Sequence, residues 1–337
     1  MPSYKEAYRI SQIEAMRARQ ERVDRLDPDS FGAYYEILVA RFIVLAALLP
    51  FLLGNFLAYL ATGRLNLWVL GLGSVVVFMV MGAVNAGNTY YDFETDIQNK
   101  EFSVYSGGIR VLVEKKISQR KRALWFAIGV LVVALPIGLL LPLHFHTGPW
   151  TIPLGLFGAL AGWFYTGWPL KLVYRGLGEL VVAICGGMLT VVAGYYLQAG
   201  RFDPVLIPVA GALGFSILNV IFINEFADAP SDARSGKKTF VVRFGRDATA
   251  RAYLFNLAVA LAFVAAAPLF GVPWWVSVVT LAAVVGLVRD NVGRIRAKTY
   301  TGEGINDLTW DTFRIHLNLE AIPALLLLGA GLVKWLL

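Results

Sequence analysis

Long apolar runs, separated by short polar stretches, set the frame of this chain. Nine of them approach the ~20 residues that an α-helix needs to cross a hydrocarbon layer ~30 Å thick. They lie near residues 38–61, 66–91, 122–143, 149–166, 178–199, 204–226, 252–270, 273–288 and 315–336. The eighth is short, bounded by Pro273 and Arg289. None resembles the ~10-residue alternating strands of a barrel, and only helices satisfy their own backbone within one spanning segment. The pattern predicts an all-α protein, a bundle of nine transmembrane helices over residues 37–337. Residues 1–36 form a polar segment whose apolar positions (Tyr8, Ile10, Ile13, Met16) suit either an amphipathic helix on a membrane surface or a solvated tail. That segment lacks the apolar core and small-residue cleavage site of a signal peptide.

Composition sharpens this reading. Hydrophobic residues make up 57% of the 337 and charged ones 16%, with a mean hydropathy of +0.62. A soluble domain carries roughly 45–50% apolar and about 25% charged residues. Disordered, collagenous, coiled-coil and small secreted classes are excluded. The single Cys185 rules out an intramolecular disulfide. The net charge of +7 could suggest nucleic acid, but the Lys and Arg positions explain it better. Of these 30 residues, 27 fall in the N-terminal segment and in every second connection, and only Arg64, Arg201 and Lys334 fall opposite. The excess of positive charge on cytoplasmic loops then predicts a plasma (inner) membrane protein, its N-terminus cytoplasmic and its C-terminus on the other face. No nucleic acid is required.

Two motifs carry the chemistry. Asn88-x-x-x-Asp92-x-x-x-Asp96 closes the second run, and Asn224-x-x-x-Asp228-x-x-x-Asp232 closes the sixth. Four-residue steps turn only ~40° around a helix, so each triad shares one face over ~12 Å. The copies stand 136 residues and four crossings apart, which makes the two helices parallel and suggests a duplicated four-helix unit. Four carboxylates meeting at the edge of hydrocarbon repel one another and are costly to desolvate. Hard divalent cations relieve both costs, and oxygen-only ligands favour Mg²⁺, which commonly adds substrate phosphates to one or two carboxylates. Asp92, Asp96, Asp228 and Asp232 are the expected metal ligands. Gly-flanked cations follow each motif: Ser106-Gly107-Gly108-Ile109-Arg110, then Ser235-Gly236-Lys237-Lys238. Lys171 lies between the fourth and fifth runs. Metal-binding acids beside such cations describe a diphosphate site.

These residues resemble the UbiA superfamily of intramembrane aromatic prenyltransferases over almost the whole chain beyond residue 36. The nine runs, both Asp motifs and the Tyr165–Lys171 region carry the resemblance. The MenA-like branch, the 1,4-dihydroxy-2-naphthoate prenyltransferases, is nearest, through Tyr165-Thr166-Gly167, Tyr174-Arg175-Gly176-Leu177-Gly178-Glu179, Gly194–Gly200 and the Gly-Lys-Lys-Thr run from 236. Two departures stand out. Thr89 occupies a position where the family commonly has Asp, and the second motif begins Asn224-Glu225 where Asn-Asn is expected.

The resemblance agrees with the mechanism that the residues suggest. Two Mg²⁺ ions bridge the four aspartates to an isoprenoid diphosphate donor, with Arg110, Lys171 and Lys237 as counter-charges. Asn88, Asn224, Tyr91 and Tyr165 are expected at the substrates, and Tyr90, Trp163 and Phe164 as further aromatic walls for an allylic cation. The resemblance implies an aromatic acceptor, 1,4-dihydroxy-2-naphthoate in menaquinone synthesis, whose carboxylate Arg41 could grip. Acceptors such as 4-hydroxybenzoate, homogentisate or glycerol phosphate stay open, as does a terpene cyclase that needs no acceptor. A transporter is a third class, disfavoured because the acids cluster at one membrane edge. His144 and His146 are too sparse for a metal site. His316 and Glu320, four residues apart, are expected to pair within the bundle, and Glu179 to favour a helix N-terminus.

Overall fold

The apolar runs become helices in a computed structural model of the chain, which describes residues 14, 18, 20–39, 43–99, 110–300 and 304–336. The elements are α1 (Phe31–Leu38), α2 (Ile43–Thr62), α3 (Leu67–Tyr91), α4 (Phe93–Gln98), α5 (Arg120–Leu143), α6 (Thr151–Thr166), α7 (Gly178–Ala199), α8 (Leu206–Ser235), α9 (Phe240–Phe244), α10 (Arg246–Ala266), α11 (Trp274–Arg296) and α12 (Gly304–Leu336). Among the described residues all regular structure is helical. Seven helices (α3, α5, α7, α8, α10, α11 and α12) are long and apolar enough to cross a membrane. Shorter ones are α2, apolar over Ala47–Thr62, and α6 with 16 residues. This is an integral membrane protein; a count of nine crossings rests, for α2 and α6, on the sequence pattern.

Several helices outrun their apolar runs. α8 continues through the second Asp motif to Ser235, α11 reaches Arg296, and α12 begins at Gly304. Hydropathy marks the part that suits hydrocarbon, whereas the backbone ladder continues into water until a cap or a glycine stops it. At α8 that stop is Gly236, at φ 79°.

Close helix approach sets the centre of the bundle. A Cβ on Gly54 of α2 would lie 2.1 Å from the Val191 carbonyl oxygen of α7, and one on Gly194 would lie 2.1 Å from that of Phe51. Such backbone-to-backbone packing replaces the hydrophobic drive that lipid does not supply. α7 widens to a π-helix over Val182–Met188, where Gly187 meets Gly214 of α8 and the Thr190 hydroxyl donates to the Cys185 carbonyl at 2.8 Å. The largest buried cluster joins α2, α7, α8, α10, α11 and α12.

Of the N-terminal segment, Tyr8, Ile10, Ile13 and Met16 lie outside the described residues, and residues 20–39 dock on protein. Lys116 Nζ donates to the carbonyls of Asp24 (2.7 Å) and Leu26 (3.0 Å). The Asp29 carboxylate accepts from the Ser118 N–H at 3.1 Å and pairs with Arg122 at 2.5 Å. Ala33 and Ile37 of α1 then pack with Ala86, Val111, Leu112 and Ile117. Residues 20–39 thus brace the stretch that follows the first Asp motif.

Candidate active site

Asp92 ends α3 and begins α4, with φ −86° and ψ 2°. The expected single straight helix is therefore bent there. The ladder survives the bend: Asp92 N–H donates to the Asn88 carbonyl and Asp96 N–H to that of Asp92, each at 2.8 Å. Asn88, Asp92 and Asp96 consequently keep a common side. Arg120 secures the bend, donating to the Tyr90 carbonyl at 2.8 Å, stacking 4.7 Å over the Tyr90 ring and pairing with Glu94 at 3.0 Å.

The second motif runs unbroken in α8, although Pro230 stands between its two aspartates. A proline has no N–H for the carbonyl four residues back. That carbonyl, on Phe226, accepts instead from Arg246 at 3.2 Å. One cation from α10 thereby satisfies the carbonyl that Pro230 leaves open within the helix that carries Asp228 and Asp232.

The motifs meet. Ser231 Oγ donates to the Thr95 carbonyl at 3.4 Å, a contact between positions 136 residues apart, like the motifs themselves. Asn99 Nδ2 donates to Asp228 at 2.9 Å. Lys237 Nζ lies 3.0 Å from Asp92 Oδ1 and 3.8 Å from Asp232 Oδ1, bridging the two motifs. Around them opens a cavity with about 890 Å³ of empty space, part of it continuous with solvent. All four aspartates line it, with Asn88, Asn224, Tyr165, Thr89, Glu225 and Lys237. Burial works against the charge of Lys237, but Asp92 and Asp232 outweigh it and hold the ammonium above its usual range. Burial, then the charges of Asp92 and Asp228, push the Asp96 carboxyl up to about 8 against Lys237 and Arg110.

Among the described residues no three His, Cys, Asp or Glu side chains converge as a ready-made metal cage. The donors are hard oxygens, and Asn224 Oδ1 is buried with no partner. That set fits Mg²⁺, which fills its shell from water and substrate phosphate rather than from protein alone.

Other expected residues stand outside the cavity lining. The Arg110 guanidinium donates to the Asp96 and Asn99 carbonyls, each at 3.4 Å, and pairs with Glu114 at 3.2 Å, so it closes the end of α4 and is not in the cavity lining. Lys171 is exposed at a left-handed turn (φ 46°), its Nζ 5.4 Å above the Tyr174 ring that Lys237 approaches at 6.0 Å. Tyr91 packs edge-on against Trp163 at 6.3 Å, behind the lining. Arg41 and residues 106–109 lie outside the described residues. Thr89 donates its hydroxyl to the Asn85 carbonyl at 2.8 Å, so the place of the family's extra carboxylate holds a satisfied neutral group. His316 pairs with Glu320 at 2.9 Å, as expected. Glu179 stands in the first turn of its helix, as expected, and its carboxylate accepts from the Phe240 N–H. Sequence reasoning passed over Asn99 and Glu225. Asn99 lies three residues past the first motif, and Glu225 registered only as a departure from a family pattern.

The model of the UbiA prenyltransferase family matches residues 47–300. A 1,4-dihydroxy-2-naphthoate octaprenyltransferase from Mycobacterium tuberculosis is 34% identical over 217 residues, 64% of this chain and 68% of that one. The protein of the same description from Bacillus subtilis is 26% identical over 232 residues, 68% and 72% of the two chains. The fold is similar to that of a UbiA homologue from Archaeoglobus fulgidus solved with GPP and Mg²⁺, at a TM-score of 0.64 and 18% identity, covering 88% of this chain and 99% of that chain.

Proposed function

The chain belongs to the UbiA prenyltransferase family, and we propose that it transfers a prenyl group from an isoprenoid diphosphate to 1,4-dihydroxy-2-naphthoate, a step of menaquinone synthesis. The observation that carries this reading is the union of both Asp motifs and Lys237 around one cavity. The naphthoate acceptor is favoured by the similarity to the two octaprenyltransferases.

In this reading Asp92, Asp96, Asp228 and Asp232 would hold two Mg²⁺ ions, which would supply Lewis-acid neutralisation of the diphosphate. Lys237 adds a fixed positive charge where the leaving group gains negative charge, and it needs no reorganisation as the carbon–oxygen bond breaks. Thr166 donates to Asn88 Oδ1 at 2.6 Å, which leaves the Asn88 amide N–H groups to donate to a phosphate oxygen. Tyr165, with the apolar Val173 and Ile221 in the same wall, excludes water and faces the allylic cation with an electron-rich ring. The cavity faces the cytoplasm, by the distribution of Lys and Arg. Residues 37–337 form the catalytic domain, and Arg110 and Lys171 act at its rim.

The test uses purified protein in lipid nanodiscs with Mg²⁺, prenyl diphosphates of several lengths and a panel of aromatic acids. A prenylated naphthoquinol formed with loss of the carboxylate is the expected product. Prenylation of a different acceptor alone, or a terpene released without acceptor, overturns the assignment.

A further inference from the structure

The connection between α6 and α7, with α9 packed on it, forms a basic surface outside the cavity. Residues 167–178 and 236–246 contain six Lys or Arg and no Asp or Glu. The two stretches are joined. Lys238 N–H donates to the Val173 carbonyl at 3.3 Å, and a Cβ on Gly176 (φ 74°) would lie 2.5 Å from the Arg243 guanidinium. Arg175, the neighbour of that glycine, donates to the Pro169 carbonyl at 3.5 Å. The two guanidinium groups thus flank one short loop. Both arginines are exposed, and among the described residues neither pairs with a carboxylate.

Large apolar side chains stand beside these cations. Trp168 is 72% exposed, Leu180 in the first turn of α7 56% and Phe244 52%; Leu177 is exposed as well, and Arg243 stacks 5.0 Å over the Phe244 ring. Such a patch is unfavourable in water and marks contact with a partner or a membrane. The length of α6 favours the membrane. Its 16 residues span ~24 Å, less than the ~30 Å hydrocarbon layer, so the loop that follows it cannot stand clear of the headgroups. Trp suits that depth, where its ring is buried and its N–H stays wet. The distribution of Lys and Arg puts this loop on the cytoplasmic side, whose leaflet is the anionic one. An occupant must offer negative charge next to apolar chain at headgroup depth, and an anionic phospholipid does both.

We propose that Arg175 and Arg243 bind the headgroup phosphate of an anionic phospholipid in the cytoplasmic leaflet, with Trp168, Leu177 and Leu180 against its upper acyl chains. None of these residues lines the cavity, so the site does not depend on the prenyl-transfer reading.

The experiment places the full chain in phosphatidylcholine nanodiscs that contain a minor fraction of brominated lipid, either phosphatidylglycerol or phosphatidylcholine. Bromine quenches tryptophan at contact, and the Trp168 signal is the difference between wild type and Trp168→Phe. Each Lys or Arg at an anionic surface favours binding about fivefold, so the pair predicts a roughly 25-fold preference for phosphatidylglycerol. Brominated phosphatidylglycerol should therefore quench Trp168 at a far lower content than brominated phosphatidylcholine. Arg175→Gln with Arg243→Gln should remove the difference, whereas Arg175→Lys with Arg243→Lys should keep most of it. High salt should weaken the preference in wild type. Equal quenching by the two lipids in wild type overturns the site, as does a preference that survives loss of both arginines. Quenching by neither lipid puts Trp168 in water and also overturns it. If excess inorganic phosphate or a short prenyl diphosphate restores the Trp168 signal, the surface binds a free anion and the lipid assignment falls. Should the glutamine pair fail to fold, salt decides: a preference that high salt leaves unchanged refutes the arginine–phosphate contact, and one that it abolishes upholds it.

Discussion

Replacing Lys237 with methionine keeps the length of the side chain and removes the charge that joins the two Asp motifs. At an effective dielectric of ~20, one unit pair is worth about 5–6 kcal/mol at the separation from Asp92 and about 4 at that from Asp232. Those gross values overstate the effect. Lys237 is 12% exposed, and Asp92 and Asp232 are 16% and 9% exposed, so desolvation offsets much of the attraction. Removing one partner of a buried pair costs ~3–5 kcal/mol, chiefly because the charge left behind has nothing to neutralise it. Here two carboxylates are left, and divalent cations can neutralise them. Lys237→Met should therefore melt several degrees below wild type in EDTA, with the gap narrowing when Mg²⁺ and donor are added. Turnover should fall about 10²–10³-fold even at saturating Mg²⁺, the usual loss when one fixed charge-stabilising group is removed. Lys237→Arg, which keeps the charge, should lie between the two. Thermal melts followed by tryptophan fluorescence and initial rates of prenyl transfer read both effects. Normal turnover, together with an identical melt in EDTA, would refute the bridging role.

Asp92→Asn and Asp228→Asn should each lower turnover by orders of magnitude in protein that still folds, and the double variant should be far less than multiplicative, since both sites act on one leaving group; near-normal rates in either single variant would sink the two-metal site. A reporter fused after Leu337 should be found outside the cytoplasm and one inserted near Gly107 inside, and the reverse pair would overturn the orientation. Asp29 should control docking of residues 20–39: hydrogen bonds from Ser118 and then the Arg122 contact hold its carboxyl below the usual range, against a small effect of burial. A depressed native pKa contributes stability above the unfolded value near 4 and loses it as pH falls through the native one. Limited proteolysis within 20–39 should accordingly rise below about pH 4, and Asp29→Asn, which still tolerates the φ of 58°, should bring that sensitivity to neutral pH; equal cleavage of variant and wild type would show that other contacts hold the segment.

Much of this protein is local, and what is local could be read from the order of residues. Apolar runs of about 20 residues must become helices in lipid, because no water is present to satisfy their backbone. Repetition of Asn-x-x-x-Asp-x-x-x-Asp at 136 residues already implied two matched acidic faces. Basic loops after each motif were equally visible, but not which cation would do what. Arg110, Lys171 and Lys237 look alike as residues near glycines; only the fold seats Lys237 between Asp92 and Asp232, turns Arg110 onto backbone carbonyls and leaves Lys171 exposed. The bend at Asp92, the support that Arg246 gives to a helix containing Pro230, and the clasp of residues 20–39 on Lys116 each depend on a partner from elsewhere in the chain. Glu225 shows the same division: its sequence neighbours identify a helix position, while its burial beside Glu179 and Val241 arises because α7, α8 and α9 converge there. Helix periodicity and hydropathy act within a segment, and so the sequence alone determined the elements and the acidic motifs. Which charges are neutralised, and which are left for a ligand, depends on distances of a few ångströms between segments, and those were decided only when the helices packed.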